Sequence, residues 1–388
     1  MIPSQAPIAI IGAGPSGLAF ARLLELASIA YVIFERDESA TWADEYSSSG
    51  TLDIHKDSGQ VALKEAGLLE KFQSIARYDV PTRIVDAQGS VHAHIPGDDD
   101  TEKPEIDRKD LRKLLLNSIP ASRIIWGCKI QHVQKEDDGS VSVHRTDGQV
   151  ESGFRLVVGA DGAWSKVRNL VTSGKPQYAG THFFTSFIEP DSPNYSSVAS
   201  MVENGNFLAM SKGRQIFLHY LGDGSYHLAV GMKLSENWTS LGSAVLHEPS
   251  DLWQSLLQDE FAEWDPGLTE LIKSSNRSFR SWPLYFTPEK SVPWTHTLGV
   301  TLLGDAAHLT VPTGDGVNSA LNDSLELARQ IIKHGIDNLE PAVAEYEKAM
   351  LSRAVDASRK GEWFTEHFFG ADTPQSFLQA VGMHNGST

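Results

Sequence analysis

The chain has 388 residues, 50 acidic against 33 basic side chains, a formal net charge of −17 and 40% hydrophobic residues. That length suffices for two domains with a sizeable core, and the composition is that of a globular enzyme. No basic cluster offsets the negative charge, which argues against nucleic acid and anionic membranes as partners. The single cysteine, Cys128, allows neither an intrachain disulfide nor a cysteine-based metal site, so we expect no metal and a reducing compartment.

In chain order, the apolar run Ile8 to Ile11 reads as a buried strand and Leu18 to Leu26 as a helix, with Gly12-Ala-Gly-Pro-Ser-Gly17 between them. This is the pattern of a dinucleotide-binding turn. Gly12 allows the tight turn, Gly14 lets the backbone approach a pyrophosphate, and Gly17 lets helix and strand pack closely. Ser16 lies in the first turn of that helix, whose positive end faces the phosphate. A second strand, Tyr31 to Phe34, ends in Glu35, placed to accept hydrogen bonds from ribose hydroxyls. The N-terminus carries no charged n-region before a long apolar segment, and no window approaches the roughly 20 apolar residues of a spanning helix. We therefore expect a cytoplasmic protein without a membrane anchor.

Asp37 to Ser49 reads as a polar loop with Trp42 and Tyr46 embedded in it. Ser58 to Phe72 is amphipathic, and a helix begins near Asp107. Val141 to His144 and Val150 to Val158 read as strands, the second closing on Gly159-Ala-Asp-Gly162. There Asp161 can hold backbone N–H groups or position the basic residues that follow, and Arg168 can meet phosphate. From Thr181 to Lys233 alternating runs predict an antiparallel meander, in which Gly222-Asp-Gly224 is a hairpin turn and not a second phosphate loop. Leu252 to Leu257 and Leu268 to Lys273 read as helical. Val300 to Leu303 returns to strand, Val317 to Lys333 is a helix, and Pro341 to about Phe369 is a last helix carrying Trp363, Phe364, Phe368 and Phe369.

Gly304-Asp305, at the end of a buried strand, puts a carboxylate where a polyol such as a ribityl chain can donate to it. The loop Pro312-Thr-Gly-Asp-Gly-Val-Asn318 opens into a helix, and its free N–H groups suit negative charge such as that of a reduced flavin. The three glycine segments together describe one flavin site. The expected fold is α/β: a βαβ FAD-binding domain over 1–177 and 281–340, an inserted antiparallel-sheet substrate domain over 178–280, and a C-terminal helix and tail over 341–388.

In this order the segments resemble the class A flavin-dependent aromatic monooxygenases, the family of para-hydroxybenzoate hydroxylase and phenol hydroxylase. Within that family the strings Phe34-Glu-Arg-Asp37, Gly50-Thr-Leu-Asp-Ile-His-Lys56, Ser58-Gly-Gln60, Glu105-Ile-Asp-Arg108, Ser165-Lys-Val-Arg168 and Gly304-Asp-Ala-Ala-His-Leu309 resemble the tetracycline-inactivating monooxygenases. The resemblance implies that Arg36 joins Glu35 at the adenosine half of FAD, that Asp53 lies near the isoalloxazine, and that Arg108 contacts the pyrophosphate region. It places Gly314, Asp315, Gly316 and Val317 under the flavin ring. It further implies a monomer that uses NAD(P)H as a transient co-substrate and O₂ to hydroxylate a phenolic or enolic, polyketide-like small molecule through a flavin C4a-hydroperoxide.

The substrate cavity implied by the resemblance is lined by Thr185, Phe207, Phe217, His227 and Pro312, with His227 orienting a substrate hydroxyl and no catalytic residue assigned. The relatives' glutamine and arginine that grip tetracycline fall at Thr185 and Phe207, which argues against tetracycline itself. The arginine thought to meet the nicotinamide falls at Tyr46, so NADH and NADPH both remain open. The loop after Gly304 is one residue shorter than the relatives' P-x-x-G-Q-G, and its added Asp315 is expected to oppose a reduced-flavin anion. A flavoprotein oxidase, dehydrogenase or redox-neutral enzyme is the alternative, and a non-enzymatic nucleotide-binding module a more remote one. The W-x-W-x-I segment of flavin halogenases is missing.

Overall fold

The computed structural model describes residues 6–41, 50–97, 102–238 and 249–381. Trp42 and Tyr46 lie outside the described residues. The first elements are β1 (Ile8–Ile11), α1 (Pro15–Leu26), β2 (Tyr31–Phe34), β3 (Thr51–Asp53), α2 (Gly59–Glu65), α3 (Leu69–Gln73), β4 (Thr82–Asp86) and β5 (Val91–Ile95). After β6 (Glu105–Asp107) and α4 (Arg108–Leu116) come β7 (Ile124–Ile125), β8 (Ile130–Lys135), β9 (Val141–Arg145), β10 (Val150–Phe154), β11 (Leu156–Gly159) and α5 (Arg168–Val171). The middle of the chain forms β12 (Gln177–Ile188), α6 (Tyr195–Val202), β13 (Asn206–Ser211), β14 (Arg214–Tyr220), β15 (Tyr226–Lys233), α7 (Pro249–Ser255), α8 (Pro266–Lys273) and β16 (Arg280–Phe286). The chain then runs through β17 (Val300–Leu302), α9 (Asp305–His308), α10 (Gly316–His334), α11 (Leu339–Phe368) and α12 (Gln375–Ala380).

The chain divides into two compact units, the first Met1–Ala76, Glu102–Gln177 and Tyr285–Gly361, the second Arg77–Thr101, Tyr178–Leu284 and Glu362–Thr388. The first unit is built on the parallel sheet β17-β11-β1-β2-β7. Its strands are short, and β1, β2, β11 and β17 are buried at every residue, as a sheet covered on both faces requires. The single run expected over Val150 to Val158 is two strands in two sheets. β10 pairs antiparallel with β9, and β11 joins the parallel sheet. Gly153, at φ +87°, and a register shift before Phe154 break the run. Likewise Ser58 to Phe72 forms α2 and α3, which end and begin around Gly67 and Leu68.

The second unit is the seven-stranded sheet β16-β12-β15-β14-β13-β4-β5. β13, β14 and β15 are the expected antiparallel meander, and β12 pairs antiparallel with β15. The hairpin β4-β5, within the stretch 1–177 read as nucleotide-binding, adds to this sheet because β4 pairs with β13 from Thr82 to Asp86. Helix α11 begins in the first unit and its last turns belong to the second. Cys128 is buried, and that burial raises its thiol pKa. Among the described residues no helix is long and apolar enough to cross a membrane, and no cluster of His, Cys, Asp and Glu suits a metal ion.

Candidate functional site: a dinucleotide cradle and a half-open sheet face

β1 turns into α1 with Gly12 at φ +108°, a conformation that side-chain-bearing residues avoid. A Cβ at Gly12 would collide with the Ala160 carbonyl and one at Gly17 with the Gly12 carbonyl, so both glycines are required by packing. Gly14 differs. A Cβ there would meet nothing within 4 Å, so the backbone at the start of α1 faces open space. Glu35, only 6% exposed, accepts the Ala13 N–H on one oxygen and the Asp37 N–H at 3.0 Å on the other. Its remaining lone pairs border the turn. Arg36 is exposed beside it. Ser16 is buried, and its carbonyl accepts the Ser324 hydroxyl at 2.8 Å, which ties α10 to this turn.

Asp305 and Arg108 are each exposed, and they lie close enough for their charges to act on one another. Burial raises the Asp305 carboxyl pKa, while His308, Arg108 and Arg168 pull it down. Burial lowers that of Arg108, opposed by Asp305. Asp305 is presented by the Gly304 turn, which is fixed from behind. Buried Asp323 accepts the Gly304 N–H at 3.1 Å and His308 Nε2 at 2.6 Å, and Arg353 reaches its other oxygen at 3.2 Å. Arg168 is not placed to meet phosphate. Only 4% exposed, its guanidinium donates to the carbonyls of Ala306, Ala163 and Asp305 at 2.6–2.7 Å and clamps this loop. Asp161 accepts the Lys166 N–H at 2.7 Å, the turn-holding role open to it; burial raises its pKa.

In the loop before α10, Pro312, Gly314 and Gly316 are exposed and Val317 half-buried. Gly314 borders Asp53: a Cβ there would lie 3.7 Å from both carboxylate oxygens. Asn318 fastens the two segments, donating to the Asp53 carbonyl and accepting the His55 N–H, both at 2.8 Å. Asp315 does not present a bare extra charge, because it forms an ion pair with Lys360 of α11.

The second unit's sheet has two unlike faces. Phe184, Ser186, Ile188, Ile216 and Leu218 are buried, whereas their neighbours Phe183, Thr185, Phe187, Phe217 and His219 are half-buried. Cross-strand register puts Thr185, Phe217 and His227 on the half-open face, since Ala229 faces both Thr185 and Phe217 and His227 lies two residues away. Phe207 is on the other face. It pairs with Leu218, is 2% exposed and packs among Phe184, Val198, Leu218 and Leu228, while Leu208 takes the open side. Thr185 Oγ1 accepts the Trp282 indole N–H at 2.9 Å. His227 stacks parallel to His219, centroids 6.2 Å apart, and packs beside Phe187 at 5.3 Å. The aromatic end of α11 covers one part of this face: Phe369 meets Phe183 edge-on, and Gln215 donates to the Phe368 carbonyl.

Sequence reasoning singled out neither Trp282, His219 and Lys360 nor the pair His308 and Asp323. Only the last had a local signal, the Asp-Ala-Ala-His308 string; the others act through cross-strand or interhelix contacts that no spacing encodes.

A family model described as FAD binding domain matches residues 5–243. Monooxygenase asqM of Emericella nidulans is 30% identical, covering 91% of this chain and 93% of that protein. Among solved structures, Klebsiella pneumoniae HpxO complexed with FAD and uric acid superposes with a TM-score of 0.78 at 20% identity, covering 98% of this chain and 93% of that one. The tetracycline destructase Tet(55) does so with a TM-score of 0.74 at 20% identity, covering 99% and 96%.

Proposed function

Since the chain belongs to the FAD-binding domain family and is a flavin-dependent monooxygenase, we propose that it acts as a monomer, using NAD(P)H and O₂ to hydroxylate an electron-rich phenolic or enolic ring system. The balanced reaction is R–H + O₂ + NAD(P)H + H⁺ → R–OH + H₂O + NAD(P)⁺. The observation that carries this reading is the cradle in the first unit. Gly14 leaves open space at the start of α1, and the exposed side chains of Asp305 and Arg108 lie within reach of each other's charge. FAD, when bound, would supply the redox chemistry that links the pyridine nucleotide to O₂, from which the transferred oxygen atom comes.

The chain's residues bind and orient. The α1 N-terminus and Arg108 hold the pyrophosphate, Glu35 and Arg36 the adenosine, and Asp305 the ribityl hydroxyls. The N–H groups of Gly314, Asp315, Gly316 and Val317 would supply preorganised donors to the negative charge of a reduced ring, at no cost of reorganisation during reaction. On the second unit, Thr185, Phe217 and His227 offer a flat aromatic surface with hydroxyl and imidazole groups, suited to a planar, oxygen-bearing ring system. His227 orients a substrate hydroxyl. With Thr185 in place of an amide and Phe207 turned into the core, that surface favours a ligand other than tetracycline.

The test is a panel of polycyclic phenols and enols, tetracyclines included, with NAD(P)H oxidation, O₂ uptake and product mass measured together. Gain of one oxygen atom with one NAD(P)H and one O₂ consumed is expected. Oxidised product without added oxygen would instead identify an oxidase or dehydrogenase.

A further inference from the structure

Beside the start of α10 lies a cavity of about 330 Å³ whose lining includes His55, Asp57, His308, Asp315, Asp323 and Arg353. It has room for about ten waters at liquid density and the polar groups to hold them. Arg353 and His308 are committed to Asp323, as described above. His55 stands differently, between two carboxylates. Its Nε2 lies 2.8 Å from Asp53 Oδ2, and its Nδ1 faces Asp315 Oδ1 at 3.9 Å. A carboxylate can only accept, so Nε2 carries the hydrogen toward Asp53 and Nδ1 is left toward the cavity. At 3.9 Å the two groups are within ion-pair range but not hydrogen-bonded to each other. Asp315 is held in turn by Lys360 from α11. Asp53, at the far end of this row, borders Gly314 of the loop read above as lying under the flavin.

We propose that Asp315, His55 and Asp53 form a proton relay from this cavity to the glycine loop. It rests on the flavin-monooxygenase reading, whose balanced reaction consumes one solvent proton per turnover. A solvent proton carried by a cavity water passes to Nδ1, forming an N–H bond as the hydronium O–H bond breaks and leaving neutral water behind. The Nε2–H bond then breaks and its proton passes to Asp53 Oδ2. Proton exchange with solvent through the imidazolium, Nε2 gaining a proton and Nδ1 losing one, restores the starting tautomer, and no group is oxidised or reduced. Asp315, the residue by which this loop departs from its relatives, is thereby a positioning group whose negative charge favours a proton at Nδ1.

The geometry is tested without flavin, in FAD-free protein carrying ¹⁵N-labelled histidine. Asp315→Asn is expected to shift the Nδ1 resonance of His55, and Asp53→Asn the Nε2 resonance. Function is tested on the FAD-loaded enzyme by NAD(P)H-dependent O₂ consumption. His55→Ala is expected to lower kcat at least about tenfold, the scale of a lost proton-transfer group, and added imidazole to restore it in proportion to its concentration without a matching change in KM. His55→Gln, which keeps the side chain's bulk, is expected to show the same loss. An unmoved Nδ1 resonance in Asp315→Asn, wild-type turnover in both His55 variants, or loss that imidazole leaves untouched would overturn the relay. A wild-type chain that takes up no FAD overturns the parent reading instead, a failure visible before any variant is compared.

Discussion

Glycines that look alike in the motif do different work, and substitution separates them. An alanine methyl at Gly17 would collide with the Gly12 carbonyl, so Gly17→Ala is expected to lower unfolding stability by about 1–3 kcal/mol, the usual penalty of overpacking. Gly14→Val meets nothing in the protein. It is expected to leave FAD-free stability within about 0.5 kcal/mol while weakening FAD binding sharply, as measured by denaturant midpoints and flavin titration. Retained FAD affinity would remove this turn from the cofactor site. Phe207 gives the complementary case. Its side chain fills the closed face among Phe184 and Leu228, so Phe207→Ala is expected to cost about 3–5 kcal/mol in denaturant unfolding. A variant of normal stability with altered substrate binding would return Phe207 to the substrate side.

At the level of elements, α11 is anchored to the segment before β17 by an unusual knot. His296 contacts Glu347 at 2.7 Å and Glu340 at 3.0 Å, and Glu347, only 3% exposed, also accepts the Thr301 hydroxyl at 2.8 Å. Burial pulls the His296 pKa down, but the hydrogen bonds and charges of Glu347 and Glu340 outweigh it and raise the folded-state value. The sign follows from linkage. Stabilisation is complete below the unfolded-state value of about 6.5 and is lost as pH rises through the higher folded value. Wild type is therefore expected to lose urea stability relative to His296→Gln as pH rises above about 6.5, measured as the difference in midpoint on either side of that value. Parallel pH profiles would dismiss the pair. β15 shows how a strand tolerates glycine: a Cβ at Gly231 would press into Phe183 and Phe369, so the gap admits the aromatic end of α11.

For the molecule as a whole, each unit is assembled from three separated stretches of chain, so ligand binding to one set of loops stabilises residues far apart in sequence. FAD at a hundred times its dissociation constant is expected to add about 2.7 kcal/mol to native stability by mass action. Asp305→Ala, which removes a charged hydrogen-bond acceptor worth about 1–3 kcal/mol, is expected to lose most of that gain at the same FAD concentration, read as a smaller rise in Tm. An equal rise in both proteins would take Asp305 out of the cradle. The sequence by itself determined the parts whose causes are local. The glycine turn and its strand and helix, the acids at Glu35 and Asp305, and the meander's alternation all follow from period, turn chemistry and short-range sterics. Tertiary structure alone decided what depends on register and long-range contact. It set which face Phe207 occupies, broke the Val150 to Val158 run between two sheets, committed Arg168 to carbonyls instead of phosphate, and paired Asp315 with Lys360. A one-residue change in register reverses a side chain's face, and ion-pair partners 45 positions apart in sequence leave no periodic trace.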